Sequence, residues 1–295
     1  MVATDPGVVE TTPAARKEAS IFSLALRNRS IFWGGLLLLA IAVVAVAGPL
    51  ISSDPTALNP IRRLKPPSGE AWLGTDFLGR DVFSRIVYGA QISLVVGLSV
   101  AVVAVSIGLV LGLIAGYVRA LDAVIMRVMD GLMAIPAILL AIALISLSGA
   151  SLATVVIAIV IPEIPRVVRL VRSVVLTVRE EPYVEAAITA GTPLVPILSR
   201  HVLPNTIAPL IVQATYICGS AMLTEAILGF LGAGIPPEIP SWGNIMSEGR
   251  TYFQISPWII FYPGIALSLT VLAVNFIGDG LRDTLDPRIA RKMRA

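Results

Sequence analysis

Long apolar runs alternate with short polar stretches from residue 31 to residue 276. Six of these runs have about the 20 residues needed to cross a bilayer as a helix; they lie near 31–51, 92–117, 123–146, 153–170, 206–231 and 258–276. Between the fourth and fifth lies 179–205, too polar to span and too regular for a plain loop. Pro182 suits the first turn of a helix, and Glu180 and Glu181 suit the positive end of its dipole. Tyr183, Ala186, Ala187 and Ala190 follow at helical spacing and make one small apolar face. Gly191 can stop that helix in a left-handed conformation. Thr192-Pro193 then starts a second short helix, with Leu194, Ile197, Leu198 and His201 on a shared face, and Pro204 is expected to end it. The pattern therefore predicts a helix–Gly–helix element offering a small face to something. The plainer alternative is a surface hairpin that only links two spans. A DNA-reading helix-turn-helix is disfavoured, because basic residues are sparse and spans on both sides tie the element to the bilayer.

The spans carry their own marks. Ala104, Gly108, Gly112 and Gly116 recur every four residues in the second run, a small-residue ridge that lets another helix approach closely. Arg127 and Asp130 lie three apart at the start of the third and are placed to pair, and Pro136 is expected to kink it. The fourth run carries Pro162, Glu163 and Pro165, and the fifth holds Glu225 near its far end. Asp130, Glu163 and Glu225 are the candidate intramembrane or pore-lining polar groups. Residues 52–88 read as a polar connection in which Gly74 and Gly79 mark tight turns and Asp76, Arg80, Asp81 and Arg85 pair locally. Residues 229–242 form a second irregular, Gly- and Pro-rich connection. Met1 to about Ser20 has the composition of a disordered tail. Ala45-Val46-Ala47 resembles a signal-peptidase site, but the apolar run continues to Ile51 and the polar leader is long, which favours an uncleaved span.

Composition agrees with a membrane protein: 56% of the 295 residues are hydrophobic and only 14% are charged. The net charge of +3 is too small to suggest nucleic acid, so the distribution of charge is what informs. With the N-terminus inside, one side holds Arg16, Lys17, Arg27, Arg29, Arg119, Arg127, Arg166, Arg169, Arg172, Arg179, Arg200, Arg282, Arg288, Arg291, Lys292 and Arg294; the other holds only Arg62, Arg63, Lys65, Arg80, Arg85 and Arg250. The positive-inside rule then places both termini and the 179–205 element in the cytoplasm. Cys218 and His201 are the single residues of their kinds. Neither sits in a metal-ligand or catalytic spacing. No phosphate-cradling Gly-rich loop ending in Lys-Ser/Thr is present, so this chain is not expected to hydrolyse ATP.

Several strings in order resemble one family. Glu185-Ala186-Ala187, Gly191 and Leu203-Pro204 resemble the EAA signature of ABC-importer permeases. The loop Trp72-Leu73-Gly74-Thr75-Asp76-Phe77-Leu78-Gly79-Arg80-Asp81-Val82-Phe83-Ser84-Arg85 resembles the LGTDxLGRDVxSR segment of dipeptide and oligopeptide permeases, with Ala71-Trp72 where that family usually has His-Pro. Glu225-Ala226-Ile227-Leu228, Pro240-Ser241-Trp242-Gly243 and the ending Gly278-Asp279-Gly280-Leu281-Arg282-Asp283-Thr284-Leu285-Asp286-Pro287-Arg288 are similar to the same proteins.

The resemblance covers most of the chain and points to the "C" type of membrane subunit. It implies an all-α, polytopic type I ABC-importer permease fold with six transmembrane helices. Its parts would be a cytoplasmic tail (1–30), a first span with external loop (31–91), a permease core (92–281) and a cytoplasmic C-terminal tail (282–295). It also implies a multi-pass protein of the bacterial cytoplasmic (inner) membrane that transports di- or oligopeptides. The implied partners are a homologous "B"-type permease, two ATP-binding subunits or one fused ATPase, and an extracytoplasmic binding protein. The chain itself would bind no cofactor, ATP and Mg residing on the ATPase. In that family the EAA element docks the ATPase; carried over, the docking residues are Tyr183, Glu185, Ala186, Ala187, Ala190, Gly191, Leu194, Leu198, His201, Leu203 and Pro204. Nickel, glutathione or an antimicrobial peptide are alternative substrates within the family. Outside it, a voltage-dependent channel built on Arg166, Arg169 and Arg172 and a proton-coupled transporter using Glu163 are the rival readings.

Overall fold

The structure is a computed structural model that describes residues 28–285. The expected tails at 1–27 and 286–295, with Arg16, Lys17, Arg27, Arg288, Arg291, Lys292 and Arg294, lie outside the described residues. Apolar residues at helical spacing make a sequence of helices, and the described residues contain no strand beyond a single bridge between Thr75 and Asp81.

The first helix, α1 (Arg29–Ile51), starts on Asn28, whose side chain accepts a hydrogen bond from the Ser30 amide at 2.9 Å. It runs through Ala45-Val46-Ala47 without interruption and lies along the last helix, α10 (Trp258–Leu285). Asn28 also donates from Nδ2 to the Gly280 carbonyl at 3.2 Å, so the two ends of the described chain are tied together.

After a polar loop comes α2 (Val82–Tyr117), which starts ten residues earlier than the hydropathy alone suggests because Asp81 caps it, accepting from the Ser84 amide at 2.8 Å. The next span is broken. Helices α3 (Arg119–Met133) and α4 (Ala137–Ser148) meet at 88°, so Pro136 makes a corner and not a kink. Proline lacks the N–H that would continue the helix and pushes the residue before it out of helical conformation.

Helix α5 (Leu152–Arg179) continues unbroken through Pro162 and Pro165 and extends past Leu170. It packs in parallel on the small-residue ridge of α2. A β-carbon built on Gly112 or Gly116 falls 2.6 Å from the Cβ of Val171 or Val175, and one on Gly108 collides with Val167. Ala104 is buried on the same side. In lipid, apolar burial gives no drive for helix association, so the dispersion gained by close backbone approach carries much of this contact. The central core is accordingly small and branched: Val96, Val100, Ala104, Ala158, Val167, Val171 and Val175.

The chain then makes α6 (Pro182–Thr189), a short turn α7 (Leu194–Pro196), a π-helical stretch Ile197–Val202, and α8 (Leu203–Phe230). A short helix α9 (Trp242–Gly249), capped by Ser241, precedes α10. Counted by length and hydropathy, α1, α2, the run 194–230 and α10 suffice to cross a membrane, and the α3–α4 pair makes a fifth if taken as one span. Helix α5 has the length, at 28 residues, but carries Glu163 and four arginines. Six crossings are compatible with this set.

Candidate functional site

The 182–202 element is anchored by residues other than those its pattern emphasised. Val184 and Val202 are fully buried and Ile197 is nearly so, while Tyr183, Glu185, Ala186, Ala190, Leu194 and Pro204 are exposed. Ala187, Leu198, His201 and Leu203 are half-buried. Three valine or isoleucine side chains therefore hold the element to the bundle, and the Tyr183–Ala186–Ala190 side faces outward.

Gly191 behaves as its sequence position predicts. Its φ is +79°, and the Thr192 amide reaches back to the Ala187 carbonyl at 3.1 Å while the Gly191 amide bonds Ile188 at 2.9 Å. This pair of bonds is the Schellman ending, which satisfies carbonyls the helix would otherwise leave open.

The second half departs from expectation. Ile197–Val202 is π-helical, so Ile197 turns inward while Leu194 stays exposed, and the two do not share a face. Pro204 does not end the helix; it falls in the first turn of α8, where a missing N–H costs nothing, and α8 runs on to Phe230. The two halves are stitched by Asn205, whose Nδ2 donates to the Tyr183 hydroxyl at 3.2 Å and to the His201 carbonyl at 2.6 Å. The Tyr183 and His201 rings lie 6.0 Å apart.

Of the three candidate intramembrane polar groups, Glu163 and Asp130 form ion pairs and Glu225 does not. Arg166 Nη1 donates to both Glu163 oxygens, at 3.0 and 3.1 Å, and the Ser220 hydroxyl of α8 lies 3.4 Å from Glu163. Asp130 takes Arg169 of α5 at 2.6 Å, not Arg127 as its spacing suggests, because α3 crosses α5 closely there. Sequence reasoning missed Asp122, whose two oxygens accept from Nε and Nη2 of Arg172 at 2.6 Å each. Only the crossing angle brings together residues 50 apart. Glu225 is fully buried, with one oxygen 3.5 Å from the Ser93 hydroxyl of α2 and the other without a partner among the described residues. It lies in α8, apart from Glu163 and Asp130.

A second constellation sits in the 52–81 loop. Asp76, fully buried, accepts from the amides of Leu78 and Arg80 at 2.9 Å each, from Arg80 Nε at 2.6 Å and from Arg85 Nη1 at 2.8 Å. The local pairing expected of Asp76, Arg80 and Arg85 is present, while Asp81 serves instead as the α2 cap. Glu248 of α9 completes the cluster, taking Arg80 Nη2 at 2.6 Å and also Arg85. No local spacing signals Glu248, because it arrives 163 residues after Arg85. Gly74 and Gly79 adopt φ of +79° and +77°, so both turns are left-handed as expected.

Among the described residues, an all-helical bundle with several helices long and apolar enough to cross a bilayer is the architecture of a polytopic membrane protein. Residues 108–291 match the description "Binding-protein-dependent transport system inner membrane component", and the chain belongs to that family. It is 54% identical over 92% of its length to a probable peptide ABC transporter permease, y4tQ, of Sinorhizobium fredii, 94% of which is covered. It is 45% identical to the dipeptide transport system permease protein DppC of Alkalihalophilus pseudofirmus, over 91% of this chain and 89% of the other. It is 41% identical to the di/tripeptide transport system permease protein DppC of Pseudomonas aeruginosa, over 97% and 96%.

Proposed function

We propose that this chain is one of two membrane subunits of an ATP-driven importer of di- or oligopeptides. With a homologous permease it would enclose the translocation path, receive peptide from an extracytoplasmic binding protein, and couple to two ATP-binding subunits or one fused ATPase through 182–204. The observation that best supports the reading is the 182–202 element itself. It is anchored by buried Val184, Ile197 and Val202, yet leaves Tyr183, Ile188, Leu194 and Val195 between 43% and 72% exposed. Large apolar side chains on a rigid projection outside the spans suit a protein partner. ATP and Mg would reside on that partner, and this chain would carry the conformational change rather than the chemistry. Both termini and the element are assigned to the cytoplasm on the arginine distribution. Glu163, Asp130 and Glu225 are candidates for the polar lining of the path, and the choice among peptide, nickel, glutathione or antimicrobial peptide would fall to the binding protein.

The test is a set of three variants. At Gly191 a substituent meets open space, so Gly191→Val acts only through its left-handed backbone, at about 1–2 kcal/mol. Ala187→Arg puts a charge into the proposed contact, and Glu185→Lys reverses one. Each should leave the protein inserted and paired with its sister permease, and should abolish peptide uptake and reduce ATPase co-purification. Full uptake with intact ATPase binding in all three would leave the element a mere surface linker.

A further inference from the structure

The exposed positions of α5 change character along its length. Ala153 and Ile157, near its start, are apolar; Arg166, Arg169, Ser173 and Thr177 form a polar strip at helical spacing on the other side of the helix. Arg166 heads the polar part. It lies about 21 Å from Leu152 and about 20 Å from Arg179 at 1.5 Å rise per residue, which is mid-helix. Its side chain is 53% exposed. A half-exposed guanidinium heading a strip of Arg169, Ser173 and Thr177 is unsuited to lipid, so this face of α5 turns toward protein or water.

The three arginines differ in what remains of them. Arg172 commits Nε and Nη2 to Asp122, and Arg169 commits Nη2 to Asp130. Arg166 gives only Nη1, which both Glu163 oxygens share, so its Nε–Nη2 edge has no partner among the described residues. That edge is a planar pair of parallel donors, the geometry that fits a carboxylate with two hydrogen bonds.

We propose that the open edge of Arg166 is a transit binding site for the C-terminal carboxylate of the peptide. The assignment rests on the peptide-import reading above. Glu163, buried and held also by Ser220, keeps the pair neutral when no substrate is present and fixes the guanidinium plane. Its competing charge weakens the hold on a second carboxylate, as release requires. The site reads a group that every unblocked peptide carries and ignores its side chains.

The assembled importer provides the test, with trialanine and trialanine amide as probes. Direct binding to the solubilised permease–ATPase complex is measured without the binding protein, so that protein's own preference does not enter. The wild-type complex should prefer trialanine about tenfold or more, as a charge-assisted pair predicts. Arg166→Gln, and Glu163→Gln/Arg166→Gln with both charges removed to protect folding, should bind the two probes equally and take up trialanine about tenfold more slowly. Arg166→Lys should restore part of the preference. No preference in the wild type, or a preference that survives Arg166→Gln, overturns the assignment. So does loss of the sister permease from the purified variant with both probes affected alike, which would mean that Arg166 meets an acid on that subunit. A wild-type complex that imports no peptide at all overturns the parent reading as well, whereas the other failures leave it standing.

Discussion

Single residues in the 52–81 loop show how environment sets the worth of an ion pair. Asp76 is fully buried and satisfies four donors, whereas Arg62 and Glu70 pair at the surface with side chains 37% and 79% exposed. Removing one partner of a buried pair leaves the others uncompensated and costs about 3–5 kcal/mol. An exposed pair contributes about 0–1 kcal/mol. Asp76→Ala should therefore lower the thermal midpoint of the purified protein sharply and open the loop to protease, while Arg62→Ala should change neither. Equal effects would mean that the Asp76 cluster is solvated. Part of this cluster was legible in the sequence, because Asp76, Arg80 and Arg85 lie within ten residues and the two glycines announce the turns. Glu248 was not, since nothing near it in the chain indicates a partner 163 residues away. Asp130 was misassigned for the same reason: i,i+3 spacing offers Arg127, but the helix crossing offers Arg169 at 2.6 Å.

Among the elements, the α2–α5 contact was the most legible, because a four-residue repeat of small side chains has few uses other than close packing. Its depth predicts its sensitivity. Gly112→Val would place a Cβ 2.6 Å from that of Val171, and overpacking of this kind costs about 1–3 kcal/mol. The variant should lower the thermal midpoint, and Val171→Gly on the opposite helix, which removes the Cβ it meets, should recover part of the loss. If the double variant is no better than the single one, the contact is not the source of the cost. The corner at Pro136 and the π-helical stretch were read less well. A proline reports that a helix is disturbed, but not by how much: the chain turns 88° at Pro136, while the helix continues unbroken through Pro162 and Pro165. In 194–202 the helical period placed Ile197 beside Leu194, and the wider π turn moved it inward.

At the scale of the whole molecule, the orientation we propose from the charge asymmetry would put the Ser52–Asp81 loop outside and the 182–202 element inside. Ser68 and Thr192 each sit in one of these polar segments. A cysteine at Ser68 in a Cys218→Ser background should react with an impermeant thiol reagent on intact cells, and one at Thr192 should react only after permeabilisation. The opposite pattern would invert the protein. The glycine ladder bears on how such a bundle moves. Val167, Val171 and Val175 each occupy a notch left by Gly108, Gly112 and Gly116, and the notches are flanked by bulky side chains such as Val105, Leu109 and Leu113. A slide of one or two residues would drive branched side chains into ridges, so α2 and α5 have no smooth path past each other. Sliding is restricted to steps of four residues, about 6 Å, and Ala104 is the next small residue in the row. The pair therefore behaves as a toothed rack: it travels as a single plate or jumps a full tooth, and any gradual rocking has to be taken up at its edges.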